Sequence, residues 1–334
     1  MAGANQIKVG PLKKAELPEA DRIFRLAFAT FLGIPDPSTF MEDRDLIVSR
    51  EHARHVQVFA ARDAGRLVGT NFLTTWGTFA FFGPLTVLPE YWDKGVAQKL
   101  LQATVEKFDK AKLRRTALFT FPHSTKHVGL YQKFGYWPQH LTALMKYDPG
   151  PEPASAHGLS SLAPRPSPLP ESGSRPIFLS TLPRAAREEA IAACRKLTDR
   201  IDKGLDLSDE IRSLLTQRIG EVILIYTRNT VDGFAVACHG PGSEGGTKTC
   251  YVKFAAARGG PEAGDRFDRL LDACGWFARS RGVSIEAGMN FAQEDAYRRM
   301  RAHGYRAFAQ GVAMQRPNTP GYNRPDAYII CDWR

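Results

Sequence analysis

The sequence has 334 residues, of which 43% are hydrophobic and 24% charged, and its formal net charge is +10. This length suits two domains of about 150 residues, and the composition excludes a largely disordered chain. The basic residues are dispersed, so an arginine-rich surface is favoured over a nucleic-acid-binding face, although the charge also admits an anionic partner.

The cysteines and the apolar runs restrict the class of protein further. All five cysteines lie in the second half, and no two have CxxC spacing, so neither a disulfide framework nor a zinc site is expected. The first residues contain no apolar stretch typical of a signal peptide, and no apolar run approaches the roughly 18 residues of a membrane span. We therefore expect a cytoplasmic protein without a metal and without membrane association.

A segment rich in proline, serine and glycine, residues 148–176, divides the chain. Proline cannot donate to a strand ladder, and few side chains here are suited to a core, so we interpret the segment as a linker. The predicted domains are residues 1–147 and 177–334.

The first domain shows alternating strand and helix patterns. They predict, in chain order, a strand at 7–9, helices at 14–30 and 38–50 (the second capped by Ser38), strands at 56–61, 66–73 and 79–88, a helix at 95–112, a strand at 117–121 and a helix at 126–134.

The second domain repeats this order more weakly, which indicates a tandem duplication. Its predicted elements are a strand at 177–179, helices at 184–198 and 208–218, strands at 222–226, 233–237 and 249–255, a helix at 265–280, a strand at 284–287 and a helix at 294–301.

The strongest local signal is the turn between the strand at 79–88 and the following helix. Unpaired N–H groups at the start of a helix attract anions, and a pyrophosphate fits there if the backbone is bare. Gly95 has no Cβ, Ala97 has only a methyl group, and Lys94 adds a positive charge.

This turn resembles the acetyl-CoA loop of the Gcn5-related N-acetyltransferases (GNAT), Gln/Arg-x-x-Gly-x-Gly/Ala. Gly95 and Ala97 fill the last two positions, whereas Trp92 stands where Gln or Arg is usual. Asp93 would repel a pyrophosphate, and an alternative role for it is to cap the helix.

A second segment, residues 124–136, resembles the family's motif Asn-x-x-Ala-x-x-Leu-Tyr-x-Lys-x-Gly-Phe. Ser124 and His127 replace the Asn and the Ala. The matching residues are Leu130, Tyr131, Lys133, Gly135 and the aromatic Tyr136. Two motifs in the family's order are more specific than either one, and the resemblance covers residues 5–147.

The resemblance implies an α+β fold of two tandem GNAT-like domains, each a mixed, mostly antiparallel sheet flanked by helices. It also implies that the first domain binds acetyl-CoA as a co-substrate, and that Tyr131 is the general acid that protonates the leaving thiolate. The implied cofactor-binding residues are Leu85, Thr86, Val87, Asp93, Lys94, Gly95, Val96, Ala97, Gln98 and Ser124.

A general base is not assigned. Many relatives carry a Glu where this sequence has Phe119, and His123 is a weak alternative. The aromatic residues before the end of the fourth strand are expected to be sheet core, with an acceptor pocket as the alternative; they are Trp76, Phe79, Phe81 and Phe82.

The second domain is predicted to be degenerate. Aligned with the first motif, Asp265 stands in place of Gly95 and Phe267 in place of Ala97. Met300 occupies the tyrosine position, and a thioether cannot donate a proton.

We therefore expect an N-acetyltransferase with an active first domain and an unidentified small-molecule or protein amine as acceptor. Aminoglycosides, polyamines, amino acids and protein N-termini all remain open, as does the oligomeric state. A non-catalytic acetyl-CoA-binding regulatory module is the alternative, and a nucleic-acid-associated protein is a weaker one.

Overall fold

The computed structural model describes residues 7–150 and 176–334. Most of the predicted linker, residues 151–175, lies outside the described residues. The α-helices in the described part are α1 (Leu17–Leu32), α2 (Ile47–Glu51), α3 (Val96–Lys110), α4 (Thr125–Gln132), α5 (Arg184–Ile201), α6 (Ser208–Gln217), α7 (Ala263–Arg281) and α8 (Glu294–Ala302).

The strands form one continuous sheet. Their bounds are β1 (Lys8–Pro11), β2 (Val56–Asp63), β3 (Arg66–Trp76), β4 (Phe79–Val87), β5 (Arg115–Thr120), β6 (Trp137–Tyr147), β7 (Ile177–Phe178), β8 (Gly220–Thr227), β9 (Thr230–Gly240), β10 (Gly246–Ala257), β11 (Ser284–Asn290), β12 (Arg306–Arg316) and β13 (Ile329–Ile330). The order across the sheet is β1-β2-β3-β4-β5-β12-β6-β11-β10-β9-β8-β7, with β13 beside β10.

The two halves of the chain exchange their last long strands. β12, from the second half, pairs with β5 of the first, and β6, from the first half, pairs with β11 of the second. β6 and β12 also pair with each other. We call the strands β1–β5 with α1–α4 the first unit, and β7–β11 and β13 with α5–α8 the second unit. Each unit therefore completes its sheet with a strand from the other half of the chain.

Helices cover both faces of the sheet. Phe79 and Phe81 of β4 face a core that includes α5 and α6. The alternate residues Ala80 and Phe82 face a separate core that includes α3 and α4. Trp76, Phe79, Phe81 and Phe82 are at most 2% exposed, so the expectation that they belong to the sheet core is confirmed.

The predicted helix over 38–50 is wrong in its first part. Pro37–Thr39 forms a single 3-10 turn that Asp36 caps, rather than Ser38, and the α-helix begins only at Ile47. Met41 and Glu42 between them have positive φ angles of 65° and 46°, which an α-helix does not allow. The contacts of this loop with the second unit, such as the bond from the Thr247 amide to Asp43, are tertiary and leave no local pattern.

Candidate functional site

A gap opens in the sheet between the parallel strands β4 and β5. Their pairing covers only Phe79 to Phe81 on β4 and Arg115 to Ala117 on β5. Beyond these residues the two strands diverge, and no other strand in the described part of the chain enters between them. Backbone groups of the outer half of β4 therefore face this gap without a neighbouring strand.

A β-bulge decides which backbone groups of β4 face the gap. Asn71 of β3 lies opposite Leu85, but Leu73 lies opposite Phe82, so β4 carries an extra residue around Gly83. The Leu88 amide donates to Val68 of β3 at 2.9 Å.

Alternate residues of an antiparallel strand point their backbone groups to the same side. The backbone N–H and C=O of Thr86 therefore face β3, as those of Leu88 do. The Thr86 side-chain hydroxyl lies 3.0 Å from that of Thr70. The amides of Leu85 and Val87 face the gap. Of the three residues predicted on this strand, the geometry thus places two with their backbone polar groups toward the gap.

The N-terminus of α3 lies after β4 and is not capped by a side chain. Gly95 occupies the N-cap position with φ of 76°, a left-handed conformation that favours glycine. The first-turn N–H groups of Val96, Ala97 and Gln98 have no intrahelical acceptor, so this end of the helix is suited to an anion. A Cβ at Gly95 would meet no protein atom closer than 3.9 Å, so the bend is open.

Charged side chains surround this helix end. Asp93 forms an ion pair of 2.5 Å with Lys126 of α4, and both are exposed. The alternative that Asp93 caps α3 is wrong, because the N-cap position is Gly95, which has no side chain to cap the helix. The Lys94 ammonium lies 5.0 Å from the centre of the Tyr91 ring. Ser124 is the N-cap of α4, and its hydroxyl accepts the His127 amide at 3.4 Å.

Trp92, the residue that departs from the family motif, is tied to β4. Its indole N–H donates to the Val87 carbonyl at 2.8 Å. That bond occupies the carbonyl of Val87 and leaves its amide facing the gap. The usual polar side chain of this position is thus replaced by a packing residue.

Tyr131 lies where β4 and β5 part. It is 7% exposed, its ring centre is 5.8 Å from that of Phe82, and its hydroxyl lies near Thr120 at the end of β5. Burial raises the pKa of Tyr131 to about 12, and the nearby Thr120 only partly opposes this. The phenol is therefore protonated at neutral pH and has a proton to donate.

Two positions were considered for a general base, Phe119 and His123. The Phe119 ring lies over Gly311 of β12, so close that a Cβ there would overlap it. His123 is exposed and lies parallel to the Phe31 ring at 6.0 Å.

The corresponding gap of the second unit is filled. β10 and β11 are also parallel and pair only from Thr249 to Val252 on β10. Beyond that point β13 lies between them: Ile330 pairs with Ala255 of β10, and the Cys331 amide donates to Gly288 of β11 at 3.0 Å. A strand of the same chain thus occupies the space that is open in the first unit.

The helix end beside the second gap is also covered. Arg266 donates to the carbonyls of Arg258 and Gly259 in the preceding loop. A Cβ at Gly264 in the first turn of α7 would overlap the Arg299 guanidinium, so that side chain covers the turn.

Two details of the predicted alignment change. α7 begins at Ala263 after the N-cap Glu262, so Asp265 lies within the first turn. Phe267 is fully buried in the core and does not line the loop. Met300 does match Tyr131, because each is seven residues after its helix N-cap, and Met300 is fully buried.

The described residues contain no group of three His, Cys, Asp or Glu side chains arranged to hold a metal ion. Among the helices of residues 7–150 and 176–334, none has the length and apolarity that crossing a bilayer requires. All five cysteines are buried free thiols.

A family model matches most of the first unit. Residues 20–136 match the model of the acetyltransferase (GNAT) family. No curated protein matches the sequence significantly.

Several solved structures share the fold over nearly the whole chain. A putative acetyltransferase from Pyrococcus horikoshii is 12% identical, with a TM-score of 0.64 over 98% of this chain and 95% of the other. A GCN5-related N-acetyltransferase from Sphaerobacter thermophilus is 14% identical, with a TM-score of 0.57 over 95% and 97%. A tandem GNAT protein from the clavulanic acid biosynthesis pathway is 13% identical, with a TM-score of 0.55 over 92% and 98%. At these identities the likeness shows the fold alone.

Proposed function

We infer that this chain, which belongs to the GNAT family and has two tandem units, transfers an acetyl group from acetyl-CoA to a primary amine at its first unit. The observation that carries this proposal is the contrast between the two gaps. No strand of the described residues lies in the first gap, where Tyr131 marks the point at which β4 and β5 part and the uncapped start of α3 follows β4. The second gap is filled by β13.

The first gap offers suitable groups for each part of acetyl-CoA. The N–H groups of Val96, Ala97 and Gln98 suit the pyrophosphate, since a helix N-terminus favours negative charge. The amides of Leu85 and Val87 suit the polar arm and the thioester oxygen, on which negative charge develops during attack. Lys94 adds positive charge at the mouth of the gap. Ser124 caps the N-terminus of α4, which is a second helix start close to the proposed site.

The reaction needs one bond to form and one to break. The nitrogen of a neutral amine attacks the thioester carbonyl, a C–N bond forms, the C–S bond breaks and CoA leaves as a thiolate. Tyr131 donates its proton to that thiolate, and the amine proton passes to water and returns to the tyrosine through solvent. Phe119 stands at the position where many relatives have a Glu, and its side chain cannot accept a proton. We therefore assign no protein base to this step.

The proposal is tested with the full-length protein in two stages. Calorimetry with acetyl-CoA should show binding, and absence of binding would overturn the proposal. A screen of amines that detects free CoA should then show turnover above the rate without acceptor. Tight binding without turnover on amino acids, polyamines, aminoglycosides and peptide N-termini would favour the alternative, a non-catalytic acetyl-CoA-binding regulatory module.

A further inference from the structure

Arg50 of α2 is a buried cation that touches the wall of the first gap. It is 1% exposed. Its Nε and Nη2 atoms donate to the two carboxylate oxygens of Glu244 at 3.1 and 2.5 Å, and its Nη1 donates to the Gly83 carbonyl at 2.9 Å. Nη2 also donates to the carbonyl of Arg334. A buried guanidinium is stable only when its donors are satisfied, so these contacts determine its position.

Gly83 is the residue at which the bulge of β4 occurs. A bulge determines which residues beyond it turn toward each side of the strand. The peptide held by Arg50 therefore lies two residues before Leu85, whose amide faces the gap. Fixing this carbonyl fixes the orientation of the strand that follows.

The partners of Arg50 come from the second unit. Glu244, in the loop between β9 and β10, is 5% exposed and also accepts from Lys253 at 2.7 Å. Lys253 pairs with Glu210 of α6 at 3.0 Å. Glu210 in turn accepts from the Trp76 indole at 3.0 Å and lies 2.9 Å from His55.

This network begins and ends in the first unit and passes through the second. Its two cations, Arg50 and Lys253, are balanced by two carboxylates, Glu210 and Glu244. Burial alone would raise the pKa of Glu244, but the charges of Arg50 and Lys253 lower it, so the carboxylate remains ionised. The second unit thus supplies the negative charge that keeps Arg50 at the bulge.

We propose that the second unit, although its own gap is filled, sets the shape of the first unit's acetyl-CoA gap through Glu244, with Arg50 as a positioning residue that holds the Gly83 carbonyl. This inference rests on the proposed function. Arg50 acts through β4, and no direct contact with acetyl-CoA is required of it.

The test compares Arg50→Lys and Glu244→Gln with a matched control. Lysine keeps the charge but cannot bond two carboxylate oxygens and the Gly83 carbonyl together. Arg44→Lys is the control: Arg44 forms the same kind of two-bond pair with Glu286, also between the units, at 2.7 and 2.8 Å, but makes no bond to β4. The readouts are the Kd for acetyl-CoA by calorimetry and the melting temperature of each full-length variant.

We expect Arg50→Lys and Glu244→Gln each to weaken acetyl-CoA binding about tenfold, as the loss of a hydrogen bond to a charged group suggests. The double variant should lose less than the product of the two losses, since both break one interaction. Arg44→Lys should bind acetyl-CoA with a Kd within about twofold of the wild-type value, even if its melting temperature falls as much as that of Arg50→Lys.

Two results would overturn the inference. One is wild-type affinity in a folded Arg50→Lys or Glu244→Gln variant, and the other is an equal loss in Arg44→Lys, which would indicate a general loosening between the units. If Arg50→Lys does not fold, Glu244→Gln against Arg44→Lys decides the question. Failure of the wild type to bind acetyl-CoA is a different result, because it removes the proposed function itself.

Discussion

Ile330 lies opposite Ala255 on β10, at the place in the second unit where the first unit has an open gap. The Cys331 amide continues this pairing to Gly288 of β11, so the inserted strand is bonded on both sides. Hydrogen bonds that a ligand would need are thus already made within the chain.

The first prediction is that each chain binds one acetyl-CoA. Calorimetry should give a stoichiometry near one, since the second gap is filled and the start of α7 is covered by Arg266 and Arg299. A stoichiometry near two would mean that β13 leaves its place and that the second unit also binds the co-substrate.

A second prediction concerns the open turn at Gly95. Gly95→Ala should weaken acetyl-CoA binding several-fold, because a Cβ enters the space before the helix N-terminus. Gly65 is a matched control: it lies in the β2–β3 turn with a similar φ of 88°, and a Cβ added there would meet no protein atom within 4 Å. Both alanines cost about 1 kcal/mol of backbone strain. Only Gly95→Ala should change the Kd for acetyl-CoA. If Gly95→Ala and Gly65→Ala bind acetyl-CoA equally well, this turn is not part of the site.

A third prediction tests Tyr131 as the general acid. Tyr131→Phe should lower kcat about 100-fold, a typical loss for a general acid, with the Kd for acetyl-CoA within about twofold. Tyr136→Phe is the control, since Tyr136 is a fully buried tyrosine of the same core. Because the pKa of Tyr131 is raised to about 12, this group should not produce a loss of activity below about pH 10. Unchanged turnover in Tyr131→Phe would contradict the assignment.

A fourth prediction concerns stability in the second unit. Burial alone would lower the pKa of His303, but its hydrogen bonds to Asp268 and Asp272 raise it to about 9 from 6.5. A raised folded-state pKa stabilises the protein fully below the unfolded value and less as pH rises through the folded value.

The free energy of unfolding should therefore fall by up to about 3 kcal/mol between pH 6.5 and pH 9 through this residue. Denaturant titrations of wild type and His303→Gln across this range measure the contribution. The difference between the two proteins should shrink toward pH 9, and a constant difference would show that the ion pairs of His303 do not titrate as described.

A fifth prediction follows from the exchange of β6 and β12. Residues 1–150 alone leave β5 without β12, and residues 176–334 alone leave β11 without β6. An unpaired strand edge promotes association, so each fragment should aggregate or remain unfolded when produced alone. When the two fragments are mixed in denaturant and the denaturant is then diluted, they should refold into a complex. The circular dichroism spectrum of this complex should match that of the intact chain. Monomeric, cooperatively folded separate fragments would show that the exchanged strands are dispensable.

The sequence was informative where the relevant contacts are local. The turn at residues 92–98 depends on neighbours within one or two turns of chain, so the glycine and the change from a strand pattern to a helix pattern predicted it. Tyr131 was predicted through the resemblance of residues 124–136 to the family's second motif, and its role stays a prediction. The short segment after Pro37 was mispredicted as helix, since its conformation depends on contacts with Thr247 and its neighbours, far along the chain.

The Arg50 network left no sequence signal. Arg50 follows Leu46–Val48 and Ser49 in the sequence, and because arginine is mostly exposed in proteins, this pattern alone predicts a surface residue. The sequence around Arg50 does not predict Glu244 as its partner, because the two residues are separated by 194 positions in the chain.

By itself the sequence predicted the repeated order of elements, the resemblance of the first unit to the GNAT family and the turn before the helix at residue 95. Those features arise from side-chain periodicity and backbone preferences, which act over a few residues. Only the tertiary structure decided that β6 and β12 change places, that β13 fills the second gap and that Glu244 faces Arg50. Strand pairing and the burial of charge join segments far apart in the chain, and their free energy exists only once those segments are brought together.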